Sequence, residues 1–312
     1  MANLTLQRAY ERDLARELVR QPPHPSPALA RKELTTLPNA VREYVLASGS
    51  LDRAHASNAR IVWREMLLQN SEGAQTLRVD CEQVNFLREP SRMALMRSAL
   101  AGVIPFSGYD RYRNGRGEML IRLGGICPLR HARGPHMDAS GLATFLSEAL
   151  LLPLLFVHPS LQWSALDERS ARATIHHAGT FVSGVFSFDA ANEWARFETC
   201  DRWRDGRPPV RQRWSAEVTD FAWHKGLRIP GRARAFWHAD ARRFCYMRGR
   251  VESITYDVTD ARAQVGPRRF SLARTLSSWR NDCSPSEQAR AALGGSDDIQ
   301  EDPDRARLLG TR

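Results

Sequence analysis

The stretch Ser140–Pro159, SGLATFLSEALLLPLLFVHP, is the most apolar run of the chain and decides how the rest is read. Leu142, Phe145, Leu146, Ala149 and Leu152 fall on one face at helical spacing. Ser140 suits a helix N-cap, Asp138 just upstream favours the positive end of the helix, and Pro153 ends or kinks it. The continuous apolar part, Ala149–Val157, is too short to span a bilayer, which takes about 20 residues. The stretch therefore predicts a helix buried in a protein core. One carboxylate, Glu148, stands in its middle. A buried carboxylate needs a partner or a raised pKa. Glu148 thus reads either as half of a structural ion pair with an arginine or as the polar anchor of an apolar pocket.

On both sides of this helix the texture is that of strands. Ile61–Gln69 is short and apolar. In Thr76–Val84, Leu77, Val79 and Cys81 alternate with Arg78, Asp80 and Glu82, the pattern of a sheet with one buried and one wet face. Tyr109–Leu123 reads as a hairpin turning at Asn114–Gly117. Downstream, Ala171–His176 and Phe181–Phe188 flank a turn at His177–Thr180. Glu193–Cys200, Trp214–Thr219, Ala235–His238, Phe244–Arg248 and Val251–Val258 are further strands. Short connections between them predict an antiparallel meander rather than β-α-β units. The amino-terminal end is different. Residues 4–20 are helical, with Leu6, Tyr10, Leu14 and Leu18 spaced by four, and a second helix covers Pro38–Ala47. The proline-rich Gln21–Ala28 lies between them. The expected organisation is a helix and linker over 1–30, one α+β domain over 31–258, and an extension over 259–312. The extension holds a basic helical segment at Gly266–Trp279 and is otherwise too poor in aromatic and β-branched residues to fold.

The composition narrows the function classes. The chain has 312 residues and a formal charge of +10, yet of its 45 basic residues only Lys32 and Lys225 are lysine. So strong an arginine skew can follow genome composition, which weakens basicity as a sign of nucleic acid. Residues 201–250 still hold thirteen Lys/Arg against five Asp/Glu. The five cysteines are odd in number and form no C-x-x-C pair, so neither a disulfide framework nor a zinc site is expected. The charged N-terminus lacks the apolar core of a signal peptide, which implies a cytoplasmic protein. Membrane-surface contact through residues 268–280 is left open.

The order of motifs resembles an uncharacterised bacterial domain-of-unknown-function family. The likeness runs from LPNAVREYVLASG (Leu37–Gly49) through Asp110 and Gly115-x-Gly117 to FLSEALLLPLLF (Phe145–Phe156) and Trp163. It closes with GLRIP (Gly226–Pro230), Trp237 and SITYDV (Ser253–Val258). The resemblance implies the curved half-barrel of bacterial lipoprotein carriers, in which a bent antiparallel sheet wraps helices and encloses an apolar cavity. The expected fold class is therefore α+β, mainly antiparallel β: a curved sheet or half-barrel wrapped on a central apolar helix, with N-terminal helices.

Catalytic signatures are missing from the sequence. There is no H-E-x-x-H, no G-x-S-x-G elbow and no phosphate loop, and Gly115-Arg116-Gly117 lacks dinucleotide spacing. His176 and His177 are adjacent on a strand and should face opposite ways. No cofactor and no metal is expected. The eight tryptophans pack a core or line a cavity. For a cavity the candidate ligand-binding residues are Glu148, Trp163, Trp194, Arg196 and Trp237. The first reading is a non-enzymatic carrier of an apolar small molecule, a lipid or acyl chain. The second is an enzyme using Glu148 with an arginine. The third is a nucleic-acid or partner-binding module built on residues 201–250, with nucleic acid disfavoured because the arginines occur throughout.

Overall fold

A computed structural model describes residues 4–264 apart from 25–27, 52–55, 101–103, 125–126, 205, 207, 225 and 240–241. The expected helix at Gly266–Trp279, and with it the segment 268–280 for which membrane contact is left open, lies outside the described residues. After helix α1 (Leu4–Arg20) and helix α2 (Asn39–Ala47), the chain forms six strands. These are β1 (Asn58–Leu68), β2 (Leu77–Phe86), β3 (Ser91–Leu100), β4 (Ile104–Arg113), β5 (Arg116–Leu123) and β6 (Cys127–Arg133). Helix α3 (Pro135–Ser147) and two 3-10 turns, Glu148–Leu150 and Pro153–Val157, follow. Then come β7 (Leu161–Ala165), β8 (Ser170–His177), β9 (Thr180–Phe188) and β10 (Ala195–Thr199). A two-strand ribbon of β11 (Trp203–Arg204) and β12 (Val210–Arg211) leads into β13 (Trp214–His224), β14 (Leu227–Ala239) and β15 (Arg242–Tyr256).

Thirteen of these strands form one sheet in the order β6-β5-β4-β3-β2-β1-β15-β14-β13-β10-β9-β8-β7. Every pairing is antiparallel. The chain thus meanders from the middle of the sheet to one edge, crosses through α3 to the opposite edge, and meanders back to the middle. The sheet is curved and not closed. Its curvature brings both ends to the same helix, since α3 touches β4, β5 and β6 on one side and β9 and β10 on the other. At one rim the two ends almost meet. The Tyr112 hydroxyl lies 2.7 Å from His177 Nδ1. The turn glycine Gly115 (φ +74°) is so close to the β8–β9 turn that a Cβ on it would sit 2.2 Å from Ala178 Cβ.

The α3 rod lies inside this half-barrel. Leu142, Phe145, Leu146, Ala149, Leu150, Leu152, Leu155 and Phe156 are buried in one cluster with Ile61, Val79, Ala171, Phe186 and Phe197 of the concave face. The rod differs from the sequence expectation in its start. The helix begins at Pro135 with Gly134 as N-cap, not at Ser140. Pro at the first helical position fits because its missing N–H has no helical partner there. Asp138 lies in the first turn and accepts Gly117 N–H at 2.8 Å. Ser140 is spent otherwise: its hydroxyl donates to His136 O at 2.7 Å and accepts from Trp203 N–H at 3.0 Å. The α-helix also ends earlier than expected, at Ser147 rather than at Pro153: a 3-10 turn over Glu148–Leu150 follows, and Pro153 starts a second one. No helix among the described residues is long and apolar enough to cross a membrane.

The convex face near β2 is not wet. Helix α1 lies on it through Leu6, Tyr10 and Leu14, which pack with Val84, Phe86, Met93, Leu95 and Tyr109. The polar side chains that alternate along β2 are therefore covered. Glu82 is fully buried, accepts the Tyr10 hydroxyl at 2.9 Å and lies 3.4 Å from Arg60. Glu17 and Asp13 of α1 are buried as well and bind Arg113 and Arg111. A buried carboxylate is tolerated only with such a partner.

Candidate functional site

The concave face carries two kinds of lining. Over β8, β9, β10 and β13 it is aromatic. Phe156 of the rod stacks edge-on to Phe186 at 5.0 Å and to Tyr44 of α2 at 5.6 Å, and Trp163 lies 5.8 Å away. Phe186 continues to Phe197 at 4.7 Å, and Phe197 to Trp214 at 6.4 Å. Tyr44 also donates its hydroxyl to Leu150 O at 2.7 Å, and burial pushes its pKa up. Such aromatic contacts combine large apolar area with defined geometry.

Over β2, β3 and β4 the lining is polar and centres on Glu148. Asn85 Nδ2 donates to Glu148 Oε2 at 2.5 Å, and Arg92 Nε donates to Glu148 Oε1 at 2.6 Å. Arg92 reaches on to Asp110 Oδ2 at 2.5 Å. On the other side the chain of bonds runs back from Asn85 to Gln83 at 2.9 Å and from Gln83 to the Trp63 indole at 2.9 Å. Burial opposes the charge on Arg92, but Glu148 and Asp110 outweigh it and its pKa is raised. Cys81 lies beside this network, and burial pushes its thiol up. Both Glu148 oxygens are thus engaged by side chains of the sheet, and the carboxylate fastens the rod to it.

A gap lined by Phe145, Leu146, Ala149, Leu155, His158, Leu161 and Ile175 has a cavity volume of about 10 Å³, room for one water at most. Ligand pockets generally run to about 300–1,000 Å³. Where the half-barrel resemblance implies an open chamber, Leu150, Leu152, Leu155 and Phe156 of the rod are buried in the core cluster of the concave face.

The five candidate residues do not converge. Glu148 belongs to the polar network, Trp163 packs on Phe156, and Trp237 lies on the concave face at 5.8 Å from Tyr246. Trp194 precedes β10, 2 % exposed, with an indole N–H that has no hydrogen-bond partner among the described residues. Arg196 alternates with the core residues Ala195 and Phe197 on β10, which puts it on the convex face, away from Trp237. Sequence reasoning did not find Asn85, Arg92 or Gln83. A run of polar residues at alternate positions of β2, Gln83 and Asn85 after the apolar Val79 and Cys81, was the available signal.

Comparison with known proteins adds the following. Residues 27–249 match the family described as "Family of unknown function (DUF6544)". Among curated proteins none matches the sequence. Of the solved structures, an outer membrane lipoprotein-sorting protein domain from Vibrio parahaemolyticus is similar at a TM-score of 0.31 and 11% identity, over 64% of this chain and 85% of that one. A LolA superfamily protein from Nitrosomonas europaea is similar at a TM-score of 0.36 and 7% identity, over 69% of this chain and 92% of that one. At these scores the likeness carries no argument about what the chain binds.

Proposed function

The chain belongs to the DUF6544 family, whose function is unknown, and we propose that it is a non-enzymatic binder of an apolar ligand, an acyl chain or lipid. The observation that carries the reading is the occupant of the aromatic-lined concave face: an apolar segment broken into short turns rather than a continuous helix. Residues Ala149–Phe156 present only apolar side chains, and the backbone is non-helical at Leu152 (φ −128°, ψ 77°) and at His158 (φ −62°, ψ 132°). Short 3-10 turns have poorer hydrogen-bond geometry than an α-helix. In this reading the segment stands where the ligand binds, and the ligand exchanges with it by swinging Pro153–Val157 between those two points. Glu148, held by Arg92 and Asn85, keeps the preceding α3 in place while the segment moves. Trp163 and Phe186 line the vacated groove.

Native mass spectrometry of gently purified protein and titration with a fluorescent fatty acid test the reading. The expected result is co-purifying lipid or saturable uptake. Phe156→Ala, which removes the ring facing Phe186 and Tyr44, should raise uptake. A lipid-free mass together with no uptake by either the wild type or Phe156→Ala overturns the proposal.

A further inference from the structure

The convex face opposite the aromatic groove carries a second built site. On β10, β13, β14 and β15 the residues that point away from the rod are Arg196, Glu198, Ser215, Glu217, Arg234, Phe236, His238 and Arg243. Most of these are withdrawn from solvent. Ser215 is 0 %, Glu217 1 %, Phe236 1 %, Arg196 6 % and Glu198 7 % exposed. Phe236 forms an apolar floor on which two guanidiniums lie, Arg243 at 4.5 Å and Arg234 at 5.9 Å from the ring centre. Glu198 is bound by Arg196 and by Arg213 Nε at 2.7 Å. Glu217 accepts Arg243 Nη1 at 2.8 Å and lies 3.4 Å from Arg234. Ser215 Oγ is 2.8 Å from His238 Nε2.

Two features of this cluster are not explained by folding alone. First, positive charge exceeds negative among the described residues: Arg196, Arg213 and Arg243 face Glu198 and Glu217 even before Arg234 is counted. Second, the buried donors Arg196 Nε and Arg243 Nη2 have no hydrogen-bond partner among the described residues. Unsatisfied buried guanidinium N–H groups are costly, and burial together with its neighbours moves Arg196 down to about 10. Guanidinium forks match the oxygens of phosphate and pair with them bidentately. The rim is open on one side, since the Arg213 side chain is 44 % exposed and that of Arg243 22 %.

We propose that this convex-face cluster binds a phosphate group through Arg196, Arg213 and Arg243, with Ser215 and His238 beside it. The site stands independently of the apolar groove on the other face of the sheet. A bound dianion offsets the excess positive charge and gives the two unpaired donors acceptors. It also leaves a local signature. His238 is held at about 3 by burial and by Arg196, Arg213 and Arg243, so an anion seated among those guanidiniums raises the histidine's pKa.

The test uses the full chain and inorganic phosphate against chloride at equal ionic strength. Expected are a saturable rise in Tm with phosphate alone and an upward shift of the His238 titration by NMR. Arg196→Gln and the more exposed Arg213→Gln should each weaken phosphate binding at least tenfold, while Arg12→Gln on α1 leaves it unchanged. Arg213→Gln keeps the test meaningful if Arg196→Gln does not fold. Vesicles of phosphatidylcholine with and without phosphatidic acid separate the two sources. Binding to the acidic vesicles that is lost in Arg213→Gln assigns the site to a lipid headgroup, and a phosphate response without vesicle binding assigns it to a soluble phosphate ester. A Tm that follows ionic strength alone, or a phosphate response undiminished in both arginine variants, overturns the site.

Discussion

Removing Arg92 should cost far more than removing Glu148, because one guanidinium serves two carboxylates. The side chains of Arg92, Glu148 and Asp110 are 9 %, 8 % and 18 % exposed, and Arg92 lies 2.6 Å from the first carboxylate and 2.5 Å from the second. Arg92→Met leaves both carboxylates buried without a cation, an arrangement that costs about 3–5 kcal/mol. Glu148→Gln leaves Arg92 on Asp110. The amide, however, offers one acceptor where the carboxylate offered two, to Asn85 Nδ2 and Arg92 Nε. One donor then faces an amide nitrogen, a loss of about 1–2 kcal/mol. In the double variant only Asp110 remains, and it is the best hydrated of the three. Its cost should fall short of the sum of the single costs by at least about 1 kcal/mol. Urea denaturation at pH 7, followed by tryptophan fluorescence, measures all four corners, with the m-value held constant as the check on compactness. Strict additivity, or a Glu148→Gln cost equal to that of Arg92→Met, refutes the idea that the rod is held through this shared cation.

Three other perturbations follow from the geometry. Gly115→Ala should lose about 2 kcal/mol or more, because the position has φ +74° and a Cβ there meets Ala178; a change within ±0.5 kcal/mol by denaturant titration contradicts the close approach of the rims. Tyr112→Phe removes the hydroxyl that meets His177 and should cost about 1 kcal/mol, read as a lowered Tm with unchanged circular dichroism. His238 has a folded pKa of about 3 against an ordinary value of 6.5. The unfolded chain therefore binds a proton that the native state refuses as pH falls below about 6.5. Stability present above that pH is lost on acidification, about 2 kcal/mol between pH 7 and pH 5 from this group. His238→Gln should flatten that slope without phosphate present.

The central rod, α1 and the two glycine turns could be read from the sequence because each obeys a local rule. Leu6, Tyr10 and Leu14 mark one helix face, and Gly115 and Gly179 adopt the positive φ that tight hairpins need. Strand β3, SRMALMRSAL, left no such mark. Its Met, Ala, Leu and Arg favour helix, and apolar residues point both ways: Met93 and Leu95 toward α1, Ala94 and Met96 toward the rod. Alternation disappears when both faces are covered. Strand β6, CPLRHAR, was hidden by its proline and exposed edge position, where Pro is tolerated. The split expected between Phe244–Arg248 and Val251–Val258 does not exist: β15 runs through Gly249, which packs on the Trp63 ring. At the site, Glu148 stood out as a lone carboxylate among leucines. Its arginine did not, because Arg92 lies on the unrecognised β3, one of many arginines with no local sign of the pairing. Arg196 and Trp237 were grouped as linings of one aromatic cavity, but strand parity sends them to opposite faces of the sheet.

The two meanders join where β1 pairs with β15, Ala59 opposite Tyr256 and Leu68 opposite Met247. During synthesis the first half must therefore wait with an open flank until nearly two hundred further residues have left the ribosome. Pairing at so long a separation is slow, and an unpaired flank invites other chains. A circular permutant with new ends in the crossing beside α3, and its old ends joined, would place β15 ahead of β1 and shorten the separation over which they must pair. It should refold faster and aggregate less than the natural order of the same residues.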